Sequence, residues 1–237
     1  MPHSTTHCQS LSPYNEVELS RKFLPVVLDD LSKRLLVYFG RQVRLIVHGG
    51  AVMVLHPWLA CRESTRDVDY NHRSFESEWR QLGVHDAGAR LKKCIAQTAR
   101  AFNLGADWMN ACADVALPMA RDTYGNVYDP IFADATSAHN VRTNTIFVAP
   151  GLMLIGVSWS WAVALKLVRY QKHDPHDIAH ILRLGHRMRG VQWTRSVLEG
   201  WLLSMCATMG YAAYPPQQME ATRDKMRHAI RLAQAYG

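Results

Sequence analysis

Asp67 and Asp69, one residue apart in Ser64-Thr65-Arg66-Asp67-Val68-Asp69-Tyr70, are the residues whose types and spacing point most directly to chemistry. Alternate residues of an extended strand project to the same side, so the two carboxylates would stand together while Val68 faces a core. Such a pair can hold divalent metal, and two ions held this way can clamp the attacking and leaving oxygens of an in-line displacement about 4 Å apart. Upstream, Leu45-Ile46-Val47-His48-Gly49-Gly50 reads as an apolar strand running into a glycine turn. A helix that starts at such a turn points backbone N–H groups and the positive end of its dipole at an anion, and the second glycine keeps side chains out of that space. Ser64 and Thr65 add hydroxyls, with Arg66 beside them. A Gly-Gly before a helix is often only a tight turn, and an Asp-x-Asp is often solvated. Together and in this order, they outline a site for metal and phosphate.

The elements that must position these residues follow from periodicity. From Glu16 to Phe39, apolar residues at Phe23, Val26, Val27, Leu31, Leu35 and Phe39 recur at the spacings of an amphipathic helix, which Gly40 closes. Val43 to Val47 is a buried strand, and the turn at Gly49 opens a helix that Pro57 ends. Asp67 to Tyr70 is the next strand, and Phe75 to Ala101 reads as one long helix, weak around Gly83 and Gly88. Residues 103–134 are irregular, with a turn at Tyr124-Gly125-Asn126, and Thr143 to Val148 is a strand ending before Pro150. Four helices, about 152–171, 175–187, 191–209 and 216–235, complete the chain, separated by Pro175, Gly190 and Pro215-Pro216. The expected fold is α/β (α+β): a flexible N-terminus over 1–14, a mixed sheet flanked by helices over 15–150, and a helical C-terminal region over 151–237 packed on it.

Composition narrows the function classes. Over 237 residues, a 48% hydrophobic content with seven tryptophans supplies an ample core. The formal charge of +7 favours anionic partners, although Arg183, Arg187, Arg189, Arg195, Arg223, Lys225, Arg227 and Arg231 read chiefly as solvated helix faces. Five scattered cysteines without a CxxC pair are expected to be reduced thiols. Met1 to Tyr14 lacks the apolar core of a signal peptide. The uncharged run Thr143 to Leu165 is broken by Asn144, Pro150 and two glycines, so it reads as a strand and a buried helix instead of a membrane span. A soluble cytoplasmic protein is expected.

With these residues in view, the chain resembles the nucleotidyltransferase superfamily, the fold of polymerase-β-like enzymes, CCA-adding enzymes and aminoglycoside nucleotidyltransferases. His48-Gly49-Gly50 and Asp67-Val68-Asp69 match its strand, glycine turn and spaced carboxylate pair. Within the superfamily it is most similar to the AbiEii-type group, through Arg62 to Asp69, Asp107-Trp108-Met109-Asn110, and Ala164-Leu165-Lys166-Leu167 followed by Asp174-Pro175-His176-Asp177-Ile178. The likeness spans about residues 40 to 185. It implies a nucleotidyltransferase that moves an NMP from an NTP to a hydroxyl acceptor with Mg²⁺ or Mn²⁺. Asp67 and Asp69 would be catalytic and metal-binding, Gly49, Gly50, Ser64, Thr65 and Arg66 would hold the nucleotide, and Lys166 would act on the phosphates or steady the site. The acceptor is RNA, a protein or a small hydroxylated molecule. The alternative is a catalytically degenerate copy of the fold that binds nucleotide, RNA or protein.

Two features bear on that choice. Lys166 lies among Trp161, Val163, Leu165, Leu167 and Val168, where an ammonium either finds an anion, a triphosphate or an aspartate, or snorkels to water from a helix edge. The third carboxylate of polymerase-like members has no single counterpart. Asp107, Asp114, Asp129 and Asp134 all lie in irregular sequence, and Asp114, before Val115-Ala116-Leu117, is the best strand candidate and so the expected third metal ligand.

The remaining constellations read more simply. His173, His176, His180 and His186 are expected at a helix surface, without the Glu of an HExxH site. Trp159, Trp161, Trp193 and Trp201 are expected in the core, and Trp108 either lines the pocket or plugs the sheet. There is no GxSxG for a hydrolase and no GxGxxG for a Rossmann fold.

Overall fold

The computed structural model describes residues 11–59 and 61–235. Most of the expected N-terminal tail, and Cys8 with it, lies outside the described residues. Of the stretch expected to be flexible, the described part is tied to the fold at Ser12, whose carbonyl accepts the Ala106 N–H at 2.7 Å.

In chain order the elements are β1 (Leu19–Ser20), α1 (Leu24–Phe39), β2 (Val43–His48), α2 (Gly50–Leu55), β3 (Ser64–Thr65), β4 (Val68–Tyr70), α3 (His72–Gln81), α4 (Ala87–Phe102) and β5 (Met109–Asn110). A 3-10 turn at Cys112–Ala116 follows, then β6 (Ala120–Arg121), β7 (Val127–Tyr128), α5 (Pro130–Ala135), α6 (Ala138–Asn144), β8 (Thr145–Ala149) and β9 (Leu152–Gly156). The chain ends with α7 (Trp159–Arg169), α8 (Asp174–Arg189), α9 (Arg195–Met205) and α10 (Pro216–Ala235). The fold is mixed α/β.

Its centre is a five-stranded sheet in the order β5-β4-β2-β9-β8. β2 pairs with β9 and β4 with β5 in parallel, whereas β2 with β4 and β8 with β9 are antiparallel. Side chains alternate across each strand. Val43, Leu45 and Val47 of β2 join the core under α1, α3 and α4, while Ile46 joins the core shared with the C-terminal helices. His48 lies on the Ile46 side and stands opposite Asp69 in the β2/β4 register. The carboxylates therefore project toward the helical half, which is why residues of α7 and α8 reach them.

Several boundaries differ from expectation. The helix expected over Glu16–Phe39 begins at Leu24, because Leu19–Ser20 pairs with Ser64–Thr65. The long helix expected over Phe75–Ala101 is two helices, with Gly83 at φ 82° between them and Asn71 capping the first through the Ser74 N–H. The helix expected at about 152–171 is a strand followed by a helix, so the sheet continues past residue 150. β9 is an interior strand between β2 and β8, and a continuous apolar run there has the same appearance as a buried helix.

Candidate active site

The turn after β2 is built for close approach. Gly49 has φ 73° and ψ −146°, a conformation essentially restricted to glycine. The Asp69 carboxylate occupies the place that a Cβ on Gly49 would need, and the Thr65 hydroxyl does the same at Gly50, with Arg62 Nη1 3.1 Å from that point. The two glycines thus let a strand, a hydroxyl and a carboxylate meet. Thr65 Oγ1 also donates to the Asp67 carbonyl at 3.2 Å.

Asp67, Asp69, Gly50, Ser64, Thr65 and Arg66 all line one cavity of about 860 Å³. Every predicted nucleotide or metal residue of the first half of the chain except Gly49 and Asp114 therefore converges there. Glu18 crosses its rim, accepting from Ser64 Oγ at 2.5 Å and from Arg66 Nε at 3.3 Å. Both aspartates are half-buried. Burial pushes the Asp67 carboxyl above its usual value, and the nearby charges of Asp69 and Asp107 push the same way. Burial also raises Asp69, against the pull of Arg169 and Lys166. His48 Nδ1 lies 3.9 Å from Asp69 Oδ2, and burial lowers that imidazole to about 4, leaving it neutral at neutral pH.

The opposite wall comes from the helical half. Lys166 is only 4% exposed, and its ammonium lies 2.7 Å from Asp177 Oδ2 and 3.7 Å from Asp174 Oδ1. Asp177 is thus an aspartate placed to receive it, one of the two kinds of anion expected. Asp177 also takes both arms of Arg62, with Nε to Oδ1 at 2.8 Å, and Asp174 takes both arms of Arg169 at 2.9 and 2.8 Å. Three cations thus thread two buried carboxylates, joining the strand that leads into the acid pair to the start of α8.

Arg169 was not singled out from the sequence. Its side chain is 57% exposed, it lines the cavity, and its charge acts on both Asp67 and Asp69. The available signal was its position, one helical turn beyond Lys166 and five residues before Asp174.

Asp114 departs from expectation. It sits on the 3-10 turn, not a strand, and its Oδ2 accepts the Arg73 N–H at 2.8 Å. It lines a separate hollow of about 500 Å³ with Tyr70, His72 and Lys92. The other acids are also committed. Asp107 accepts the Asn15 N–H at 2.5 Å, Asp129 caps α5, and Asp134 receives the Ser158 hydroxyl. Among the described residues, no three His, Cys, Asp or Glu side chains are grouped to hold a metal ion, which applies equally to the histidines of α8. Trp108 is fully buried and donates its indole N–H to the Ile95 carbonyl at 3.2 Å, so it plugs the sheet.

Comparison with protein-family models, with curated proteins and with solved structures gave no match. Among the described residues, no helix is long and apolar enough to cross a membrane. The site's reading rests on its own chemistry.

Proposed function

We propose that the protein is a nucleotidyltransferase that transfers an NMP from an NTP to a hydroxyl acceptor. The observation that carries this reading is the facing arrangement in one cavity: two half-buried aspartates, both with raised carboxyl pKa, opposite the guanidinium of Arg169. Two acids held partly out of water favour a cation between them. Mg²⁺ suits a set of this size, because it is usually bound through one or two carboxylates together with substrate phosphates, not by an all-protein cage. When bound, it would supply charge neutralisation at the reacting phosphate. Asp67 and Asp69 would hold it. Arg169 offers N–H donors to the phosphate oxygens, and Thr65 and Gly50 shape the wall beside the acids. Lys166 keeps Asp177 and Asp174 in place, which in turn orient Arg62 and Arg169.

A second reading is favoured by one observation: no third carboxylate joins the pair among the described residues. Deprotonating an acceptor hydroxyl calls for a base within hydrogen-bond reach, and without one the cavity would bind a nucleotide and go no further. One experiment separates the two. Incubation with α-labelled NTPs and Mg²⁺ against RNA, protein and small-molecule acceptor pools should label an acceptor, and Asp67→Asn or Asp69→Asn should abolish the label. Metal-dependent thermal stabilisation by an NTP without any labelled acceptor would establish the binding module instead. Neither stabilisation nor label would reject both.

A further inference from the structure

The seven tryptophans divide sharply. Trp79, Trp108 and Trp161 are 5%, 0% and 2% exposed and belong to the two cores. The other four, Trp58, Trp159, Trp193 and Trp201, retain solvent exposure, and all four line one cavity of about 460 Å³ between the end of α8, the start of α9 and the loop after α2. Trp159, Trp193 and Trp201, expected in the core alongside Trp161, are partly buried: they pack against it and also form the cavity's walls. Leaving this much aromatic surface open to water is unfavourable unless something covers it.

The walls are held in place. His56 is fully buried; its ring packs edge-on against Trp159 at 4.7 Å and Trp58 at 5.6 Å, and its Nε2 lies 3.0 Å from the Thr143 carbonyl. Trp193 donates its indole N–H to the Leu182 carbonyl at 2.7 Å and lies 5.3 Å from Trp201, ring to ring. It packs so closely on α8 that a Cβ at Gly185 would stand 2.9 Å from Trp193 Cζ2. At the rim, Arg189 Nη2 donates to His139 Nε2 at 3.1 Å, and Arg189 forms no ion pair with a carboxylate among the described residues. Among the described residues, no Asp or Glu lines the cavity. An arginine carries five N–H donors, so most of this fork remains for a ligand.

We propose that this cavity binds a planar aromatic compound carrying a carboxylate, with its ring among Trp159, Trp193 and Trp201 and its anion on Arg189. The volume fits a small ligand. Aromatic walls favour a ring that can stack or meet them edge-on, and a cationic rim without acids selects an anionic substituent. The site is independent of the acid-pair cavity.

Calorimetric titration with naphthoate and with its neutral counterpart naphthalenemethanol tests this on the intact chain. Naphthoate should bind more tightly than the alcohol. Arg189→Gln, at an exposed position, should weaken naphthoate about tenfold, the loss of a charge-assisted hydrogen bond, and leave the alcohol unchanged. Gly185→Ala, which suits a helix interior but displaces Trp193, should weaken both. Absence of naphthoate binding at millimolar concentration overturns the proposal, as does an Arg189→Gln variant with unaltered preference for the anion. Sedimentation velocity provides the remaining arm. A dimer that loses naphthoate binding as it forms would make a second copy of the chain the occupant and would also overturn it.

Discussion

The Asp69 carboxylate fills the space beside Gly49 that any side chain at that position would need. No side chain can therefore be placed at Gly49 without displacing Asp69. Gly49→Ala would force both a backbone conformation alien to L-residues and a collision with Asp69. It should lower unfolding free energy by about 1–3 kcal/mol and abolish nucleotide-dependent stabilisation, as read by urea denaturation and thermal shift. Wild-type stability in this variant would show that the turn relaxes freely.

The acid pair should behave oppositely. Burial raises both carboxyls in the folded state. A raised acid contributes stability that is complete below its unfolded pKa and is lost as pH rises through its folded pKa. Wild-type protein loses that contribution as pH rises through the raised folded pKa values, whereas an asparagine never titrates. Asp67→Asn and Asp69→Asn should therefore melt no lower than wild type at neutral pH, while losing stabilisation by Mg²⁺ with NTP. A large drop in melting temperature would mean that these acids hold the fold together.

Lys166 and Arg169 should separate stability from binding. Lys166 is buried against Asp177, so Lys166→Met leaves a buried carboxylate short of a partner and should cost about 3–5 kcal/mol in chemical denaturation. Arg169 is 57% exposed and its buried partner Asp174 keeps the Gln171 N–H and Lys166, so Arg169→Ala should cost less stability than Lys166→Met while weakening NTP binding about tenfold. Equal affinity for NTP in Arg169→Ala and wild type would remove it from the site.

Asp129 sets an acid limit. Burial alone would raise its carboxyl, yet donors from Asn71, the Phe132 N–H, Arg73 and Ser74 more than offset this and hold it below its usual value. Its contribution is present above the unfolded carboxyl pKa, near 3.9, and is lost as pH falls through the lower folded pKa. Acid unfolding of Asp129→Asn should therefore show a shallower loss of stability below about pH 4 and lower stability at neutral pH. A parallel acid limb in both proteins would exclude this role.

Much of the sheet and of the site was legible along the chain, because the relevant interactions are local. Val43 to Val47 and the following glycines form a strand and a turn, whatever surrounds them. The spacing of Asp67 and Asp69 predicts one strand face; in the structure Asp69 lies on β4, Asp67 immediately precedes that strand, and both line the same cavity. The helix ends at Gly40 and Gly190, both with positive φ, were likewise written in residue type. What the tertiary structure decided was partnership. An apolar run such as Leu152 to Gly156 fits a helix or an interior strand, and only its neighbours β2 and β8 make it a strand. Lys166 needed an anion, and the approach of α8 made that anion Asp177. Asp114 had the composition of a third ligand, but a 3-10 turn carried it to another hollow. Trp159, Trp193 and Trp201, with the sequence character of core residues, are only partly buried and wall a cavity, because burial depends on the elements that pack against a side chain, not on its hydrophobicity alone.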